Sequence, residues 1–126
     1  KPENILVSES GSAFLADFGA SATDGCDFKH HVAGTPLFMA PEVACGVVVL
    51  DEDALAAADI WSLGVTLYAL LQGRLLFTDA DTIKQLSSPP HGHYTAVERI
   101  AASKHLQCAM ESIDVPEWRA LLSQML

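Results

Sequence analysis

Residues 54–71 form a run that is apolar on nearly every face, and no other feature constrains the fold of this chain as strongly. A helix that is hydrophobic all round belongs inside a protein core or inside a membrane. Asp59, Ser62 and Thr66 interrupt the run, and its longest apolar stretch, residues 56–71, falls short of the ~20 residues that a membrane span needs. The expectation is therefore a buried helix at the centre of a domain, with no membrane partner. Gly73 stands where a helix stop is expected.

One central helix suits a chain of 126 residues, which is long enough for a single core and too short for two lobes. Half the residues are apolar and 18% are charged, the make-up of a packed globular chain. The net charge is −9, and the 7 Lys and Arg residues gather into no basic stripe, which argues against a nucleic-acid surface. Cys26, Cys45 and Cys108 are odd in number and widely separated. They read as free thiols in a reducing compartment, and the expected localisation is cytoplasmic. No secretory leader opens the chain, and Lys1-Pro2-Glu3-Asn4 is an abrupt, polar beginning that reads as a truncation.

Ile5-Leu6-Val7 and Ala13-Phe14-Leu15-Ala16 are short apolar runs on either side of Ser8-Glu9-Ser10-Gly11-Ser12, which predicts an antiparallel hairpin. Residues 17–41 are rich in Gly, Ser, Thr, Asp and His without periodicity and predict a long loop, a type that is usually functional in a compact domain. Residues 79–86 predict a short helix begun by acidic residues, ended by the turn-rich residues 87–92. Asp114 and Glu117 have the spacing of a capping box ahead of Trp118, Leu121, Leu122, Met125 and Leu126 at helical intervals. Residues 87–112 carry no recognisable motif.

The chemistry gathers in the first third. Asn4 lies at the mouth of the predicted hairpin and Asp17 just past its second arm, so the hairpin brings them to one end. An amide oxygen beside a carboxylate suits a hard cation such as Mg2+, which takes oxygen ligands and keeps one or two protein carboxylates alongside phosphate. Lys1 would supply positive charge to a phosphate, and Phe18 and Gly19 would give Asp17 a hydrophobic anchor and a hinge. Singly each feature has an ordinary reading. Asp17-Phe18-Gly19 can be a turn after a strand, Asn4 a cap, Thr35-Pro36 a turn, and Ala40-Pro41-Glu42 a helix start. Their order and mutual spacing are what independent turns have no reason to share.

In that order, Lys1-Pro2-Glu3-Asn4, Asp17-Phe18-Gly19, Gly34-Thr35-Pro36-Leu37-Phe38-Met39-Ala40-Pro41-Glu42 and Asp59-Ile60-Trp61-Ser62-Leu63-Gly64-Val65 resemble the successive signatures of eukaryotic protein kinases. The Ser/Thr branch, and within it calcium/calmodulin-dependent protein kinase kinase-like enzymes, is most similar. The resemblance implies a mainly α fold, the large C-terminal lobe of a kinase with a short β-hairpin at its start, truncated at both ends, with residues 1–126 forming one partial kinase domain. It implies an ATP-dependent Ser/Thr kinase that transfers the γ-phosphoryl group to a protein hydroxyl, with ATP and Mg2+ as cofactors, a protein as substrate, and a small lobe elsewhere in the parent chain. Asn4 and Asp17 would hold Mg2+, Lys1 would steady the transferring phosphoryl group, the Glu3 backbone would lie near the ribose, and Leu6 would floor the adenine. Thr35 would support the catalytic aspartate, Glu42 would pair with an arginine near the end of the lobe, and Asp59 would hold the catalytic loop's backbone. That last role would also relieve an awkward charge in an apolar helix. Phe18, Gly19, Trp61 and Gly64 would be structural.

The general-base aspartate would lie two residues before Lys1, and the Gly-rich loop, the ATP-binding lysine and its glutamate partner are absent from these 126 residues, so the chain alone is expected to be inactive. The alternative reading of the parent is a pseudokinase serving as a scaffold. His31 occupies the position where many relatives carry a phosphorylatable residue. Either no phosphate is needed there, the preferred reading, or Ser21 or Thr23 substitutes. His30 and His31 read as loop residues rather than metal ligands. Residues 47–50 predict either a surface strand or a buried plug.

Overall fold

The computed structural model describes residues 1–21, 34–45, 52–87 and 96–126. The expectations placed on Thr23, Cys26, His30, His31, residues 47–50 and residues 88–92 lie outside them. Two strands open the chain, β1 (Ile5–Val7) and β2 (Ala13–Leu15), followed by five helices: α1 (Pro41–Ala44), α2 (Glu52–Gln72), α3 (Ala80–Ser87), α4 (Ala96–Glu111) and α5 (Pro116–Met125). Single 3-10 turns cover Pro2–Asn4, Phe18–Ala20 and Pro36–Phe38. The described fold is thus mainly helical with one small sheet.

The hairpin forms as its sequence predicts. The strands are antiparallel, with Ile5 opposite Leu15, Leu6 opposite Phe14 and Val7 opposite Ala13. Its five-residue loop is closed by Ser8, whose N–H donates to the Ser12 carbonyl and whose hydroxyl accepts from the Ser12 N–H. Gly11 sits at φ +83°, in the left-handed region where a side chain costs roughly 1–2 kcal/mol.

The long helix is where expectation and structure part. α2 runs 21 residues, and its stretch Asp53–Gln72, 20 residues at mean hydropathy 1.6, is long and apolar enough to cross a membrane by length and composition. The helix extends past both ends of the apolar run because Glu52, Asp53 and Gln72 continue it. Nor is it buried all round: 28% of that stretch is inside. Trp61, Val65 and Tyr68 are buried, whereas Ile60 and Leu70 are 48% and 61% exposed. The inner side is covered by the Pro36–Phe38 turn and by α5. Gly73, at φ +64°, ends the helix, its N–H donating to the Ala69 carbonyl, which is the expected stop.

The core lies between that inner side and the remaining helices. Trp61 stacks on Phe77 with ring centroids 6.3 Å apart. Phe77 in turn meets His105 of α4 at 5.8 Å, and His105 Nε2 hydrogen-bonds the Leu76 carbonyl at 2.7 Å. Leu122 of α5 and Ile83 of α3 are fully buried in the same cluster. α5 packs close because Gly64 has no side chain: a Cβ there would stand 3.0 Å from Leu126 Cδ2 and 3.1 Å from Met125 Cβ. α1 leans on α3, where the Cys45 thiol donates to the Lys84 carbonyl at 3.0 Å. Cys45 and Cys108 form no disulfide among the described residues.

α3 starts one residue later than predicted because Asp79 serves as its cap, its Oδ1 accepting the Thr82 N–H at 2.8 Å. The capping box expected for α5 does not form. Pro116 takes the first helical position and Val115 the cap, with no side-chain bond. Glu117 is then one residue short of where a box needs it, and the neighbouring loop is held instead by Arg119, whose Nε donates to the Ile113 carbonyl at 3.0 Å. α4 has no counterpart among the elements expected from the sequence.

Two adjacent leucines on α5 give a test of this packing. Leu122 is fully buried and Leu121 is 42% exposed. Leu122→Ala is expected to cost about 2–5 kcal/mol in urea unfolding, against no more than about 1 kcal/mol for Leu121→Ala.

The Asp79 cap gives a second. The Thr82 backbone N–H, and then the Thr82 hydroxyl, hold the Asp79 carboxyl below its usual range. The charged form is thus favoured in the fold, so its contribution is present above the ordinary carboxylate pKa of ~3.9 and is lost as pH falls through the lowered folded value. Asp79→Ala is expected to cost about 1 kcal/mol at neutral pH. That deficit relative to the unsubstituted protein should shrink below about pH 4 in thermal unfolding run across pH 2–7.

Candidate active site

The hairpin register assembles the first group of candidate residues. Ile5 pairs with Leu15, and the Ala16 N–H donates to the Asn4 carbonyl at 2.8 Å. Asn4 therefore stands opposite Ala16, and Asp17 is the next residue along, at the same end of the hairpin. Asn4 is half-buried and Asp17 exposed. The Asn4 N–H donates to the Lys1 carbonyl at 2.9 Å, which turns exposed Lys1 and Glu3 back over that end in a 3-10 turn.

Asp17 adopts φ +61°, ψ +71°, the one positive φ outside glycine among the described residues. Backbone held in that region is found at functional sites more often than elsewhere. Its Oδ1 accepts the Gly19 N–H at 3.4 Å, and a Cβ on Gly19 would lie 3.3 Å from the same oxygen. Glycine at position 19 thus leaves clearance for that carboxylate oxygen, beside the hinge freedom read from sequence. Phe18 is 66% exposed and so does not anchor Asp17 in a described core. Leu6, the candidate adenine floor, is 57% exposed.

The second group lies along α2 and the segment packed on it. Thr35 caps the Pro36–Phe38 turn and is half-buried, its carbonyl accepting the Phe38 N–H at 3.0 Å. Glu42 follows Pro41 in the first turn of α1, half-buried, where the helix dipole favours a carboxylate. It makes no salt bridge among the described residues. Asp59 is exposed, so the desolvation difficulty inferred from its apolar surroundings does not arise. Trp61 is 8% exposed, and its buried Nε1 has no acceptor among the described residues. Gly64 is the contact point for α5.

Among the described residues no hydrogen bond joins the two groups. Sequence reasoning passed over one polar contact that ties the second group together, the Ser62 hydroxyl donating to the Phe38 carbonyl at 2.8 Å. The available signal was the polar interruption of an apolar helix. No cluster of three or more His, Cys, Asp or Glu side chains forms among the described residues, and the candidate oxygen donors at the hairpin end are those of Asn4 and Asp17. A hard cation that keeps several non-protein oxygens suits such a donor pair.

Residues 1–126 match the family model "Protein kinase domain", and the chain belongs to that family. It is 44% identical over 88 residues to a putative CBL-interacting protein kinase 27 of Oryza sativa subsp. japonica, covering 66% of this chain and 20% of that protein. It is 46% identical over 86 residues to a calcium/calmodulin-dependent protein kinase kinase of Caenorhabditis elegans, covering 63% and 15%. A third relative, CBL-interacting serine/threonine-protein kinase 24 of Arabidopsis thaliana, is 42% identical over 83 residues, covering 64% and 18%. The Ser/Thr branch expected from the motifs is the branch that the Arabidopsis relative's name gives. The chain spans about a fifth of the length of the curated relatives it matches.

The site depends on the hairpin register, and the register depends on the turn. No heavy atom lies within 4 Å of the position that a Cβ on Gly11 would take, so Gly11→Ala adds strain without a clash. It is expected to cost about 1–2 kcal/mol, seen as faster amide hydrogen exchange at Ala16, whose N–H bonds Asn4.

Proposed function

We propose that this chain is part of the large lobe of an ATP-dependent protein serine/threonine kinase that transfers the γ-phosphoryl group of ATP to a hydroxyl on a protein substrate, inside the cell. The observation that carries the reading is the hairpin register. It delivers Asn4 and Asp17 to one end of a β-turn-β unit within a chain that matches the kinase family along its whole length.

In this reading Asn4 and Asp17 would hold Mg2+, which would supply positive charge against that of the ATP phosphates. Lys1 carries positive charge to the same phosphates. The Glu3 backbone lies along the ribose and Leu6 under the adenine; the exposure of Leu6 leaves it free to meet a base. Thr35 supports the aspartate that accepts the substrate hydroxyl's proton, and Asp59, open to solvent on α2, is free to accept backbone N–H groups of the catalytic loop. These roles are positional and electrostatic, and no covalent intermediate is formed on the protein.

Transfer from radiolabelled ATP to a generic Ser/Thr substrate tests the reading in the full-length kinase that contains this chain. Asp17→Asn is expected to lower turnover at least about a hundredfold, because a phosphate-bound metal supplies several kcal/mol of transition-state stabilisation. The 126-residue chain alone is expected to give no transfer. Turnover that survives Asp17→Asn would remove the proposed metal site.

A further inference from the structure

Asp59, Ser62 and Thr66 are the polar residues that interrupt α2, and their spacing of three and then four places them on one side of the helix. Asp59 has a place in the proposed catalytic arrangement, but Ser62 and Thr66 have none. Both are engaged in the structure. The Thr66 hydroxyl donates to the Ser62 carbonyl at 2.8 Å within the helix. Thr66 is 1% exposed, so this bond satisfies a group that would otherwise be buried without a partner. The Ser62 hydroxyl leaves the helix instead and donates to the Phe38 carbonyl, also at 2.8 Å.

That second bond joins distant parts of the chain at a defined point. Phe38 is buried against α2, 8% exposed, which fixes the depth of the Pro36–Phe38 turn. Apolar packing sets depth well and rotation about the contact poorly, because it has no direction. A hydrogen bond to the Phe38 carbonyl does have one. The turn is short and internally bonded, with the Phe38 N–H on the Thr35 carbonyl at 3.0 Å and the Met39 N–H on the Pro36 carbonyl at 3.3 Å. A constraint on the Phe38 carbonyl is therefore passed to Thr35, at the other end of the same turn.

The geometry points to Ser62 as a positioning residue for phosphoryl transfer, which acts by holding the Phe38 carbonyl and so setting where Thr35 stands relative to the catalytic aspartate. This rests on the kinase reading above. Ser62 touches neither nucleotide nor substrate, so its loss changes the rate of transfer and leaves ATP binding at the hairpin as it was.

The test is made in the full-length kinase with Ser62→Ala and Ser62→Thr. Ser62→Ala is expected to lower kcat about fivefold, the effect of one net hydrogen bond, with KM for ATP unchanged. Amide hydrogen exchange at Phe38 and Met39 should speed up by a similar factor, and Ser62→Thr, which keeps the hydroxyl, should restore both. Unchanged kcat with unchanged exchange overturns the inference. So does a variant whose only change is a raised KM for ATP, or a kcat loss that a folded Ser62→Thr protein does not recover. Where Ser62→Thr fails to fold, exchange in Ser62→Ala decides: faster exchange at Phe38 and Met39 alongside lowered kcat supports the clamp, and unchanged exchange overturns it. An unsubstituted full-length protein with no transfer activity sinks the kinase reading itself, and exchange at the same two amides still decides whether the hydroxyl holds the turn.

Discussion

The inner side of α2 is the surface against which the rest of the helical structure is arranged. Trp61, Val65 and Tyr68 are buried along it. Phe77 stacks on Trp61 and carries His105 behind it, and α5 closes on Gly64. Side chains of this size each contribute on the order of 1.5–3 kcal/mol when buried, while a folded domain retains only about 5–15 kcal/mol in all. A few contacts on one helix side therefore account for much of the stability available. The segment of residues 34–45, with Thr35 and Glu42, takes its place from the same surface through Phe38 and the Ser62 hydroxyl.

The hairpin stands on different physics. Its strands are three residues each, and Leu6, Val7, Phe14 and Leu15 are all more than half exposed. A lone two-stranded hairpin is marginal in water, so backbone pairing and the Ser8–Ser12 turn provide most of what orders it here. Its apolar side chains are of the kind that stabilise a sheet only when something covers them. Apolar side chains are exposed on the hairpin and on α2 alike, in a chain that spans about a fifth of the length of the curated relatives it matches.

The sequence showed the elements whose signals are local. The hairpin followed from two apolar runs around a serine-rich turn, the stop at Gly73 from glycine's tolerance of φ +64°, and the start of α3 from acidic residues, of which Asp79 became the cap. Asn4 and Asp17 were legible for the same reason, because a hairpin of known arm length delivers its two ends together. α4 was missed because its apolar residues follow no clear helical period. The capping box before α5 was misread because Pro116 shifted the helix start by one residue.

The sequence by itself determined that residues 54–71 form a helix, from the length of the apolar run and its glycine stop, and it carried motifs whose order resembles that of one family. Which side of α2 would be covered was not determined there: a run apolar on every side offers no preference, and the partners that chose Trp61, Val65 and Tyr68 over Ile60 and Leu70 come from residues 38, 77 and 122. The same holds for Asp59, an apparent buried charge in the sequence and an exposed one in the fold, and for Ser62, whose partner lies 24 residues away. Burial is a relation between distant segments, and only the tertiary structure decides it.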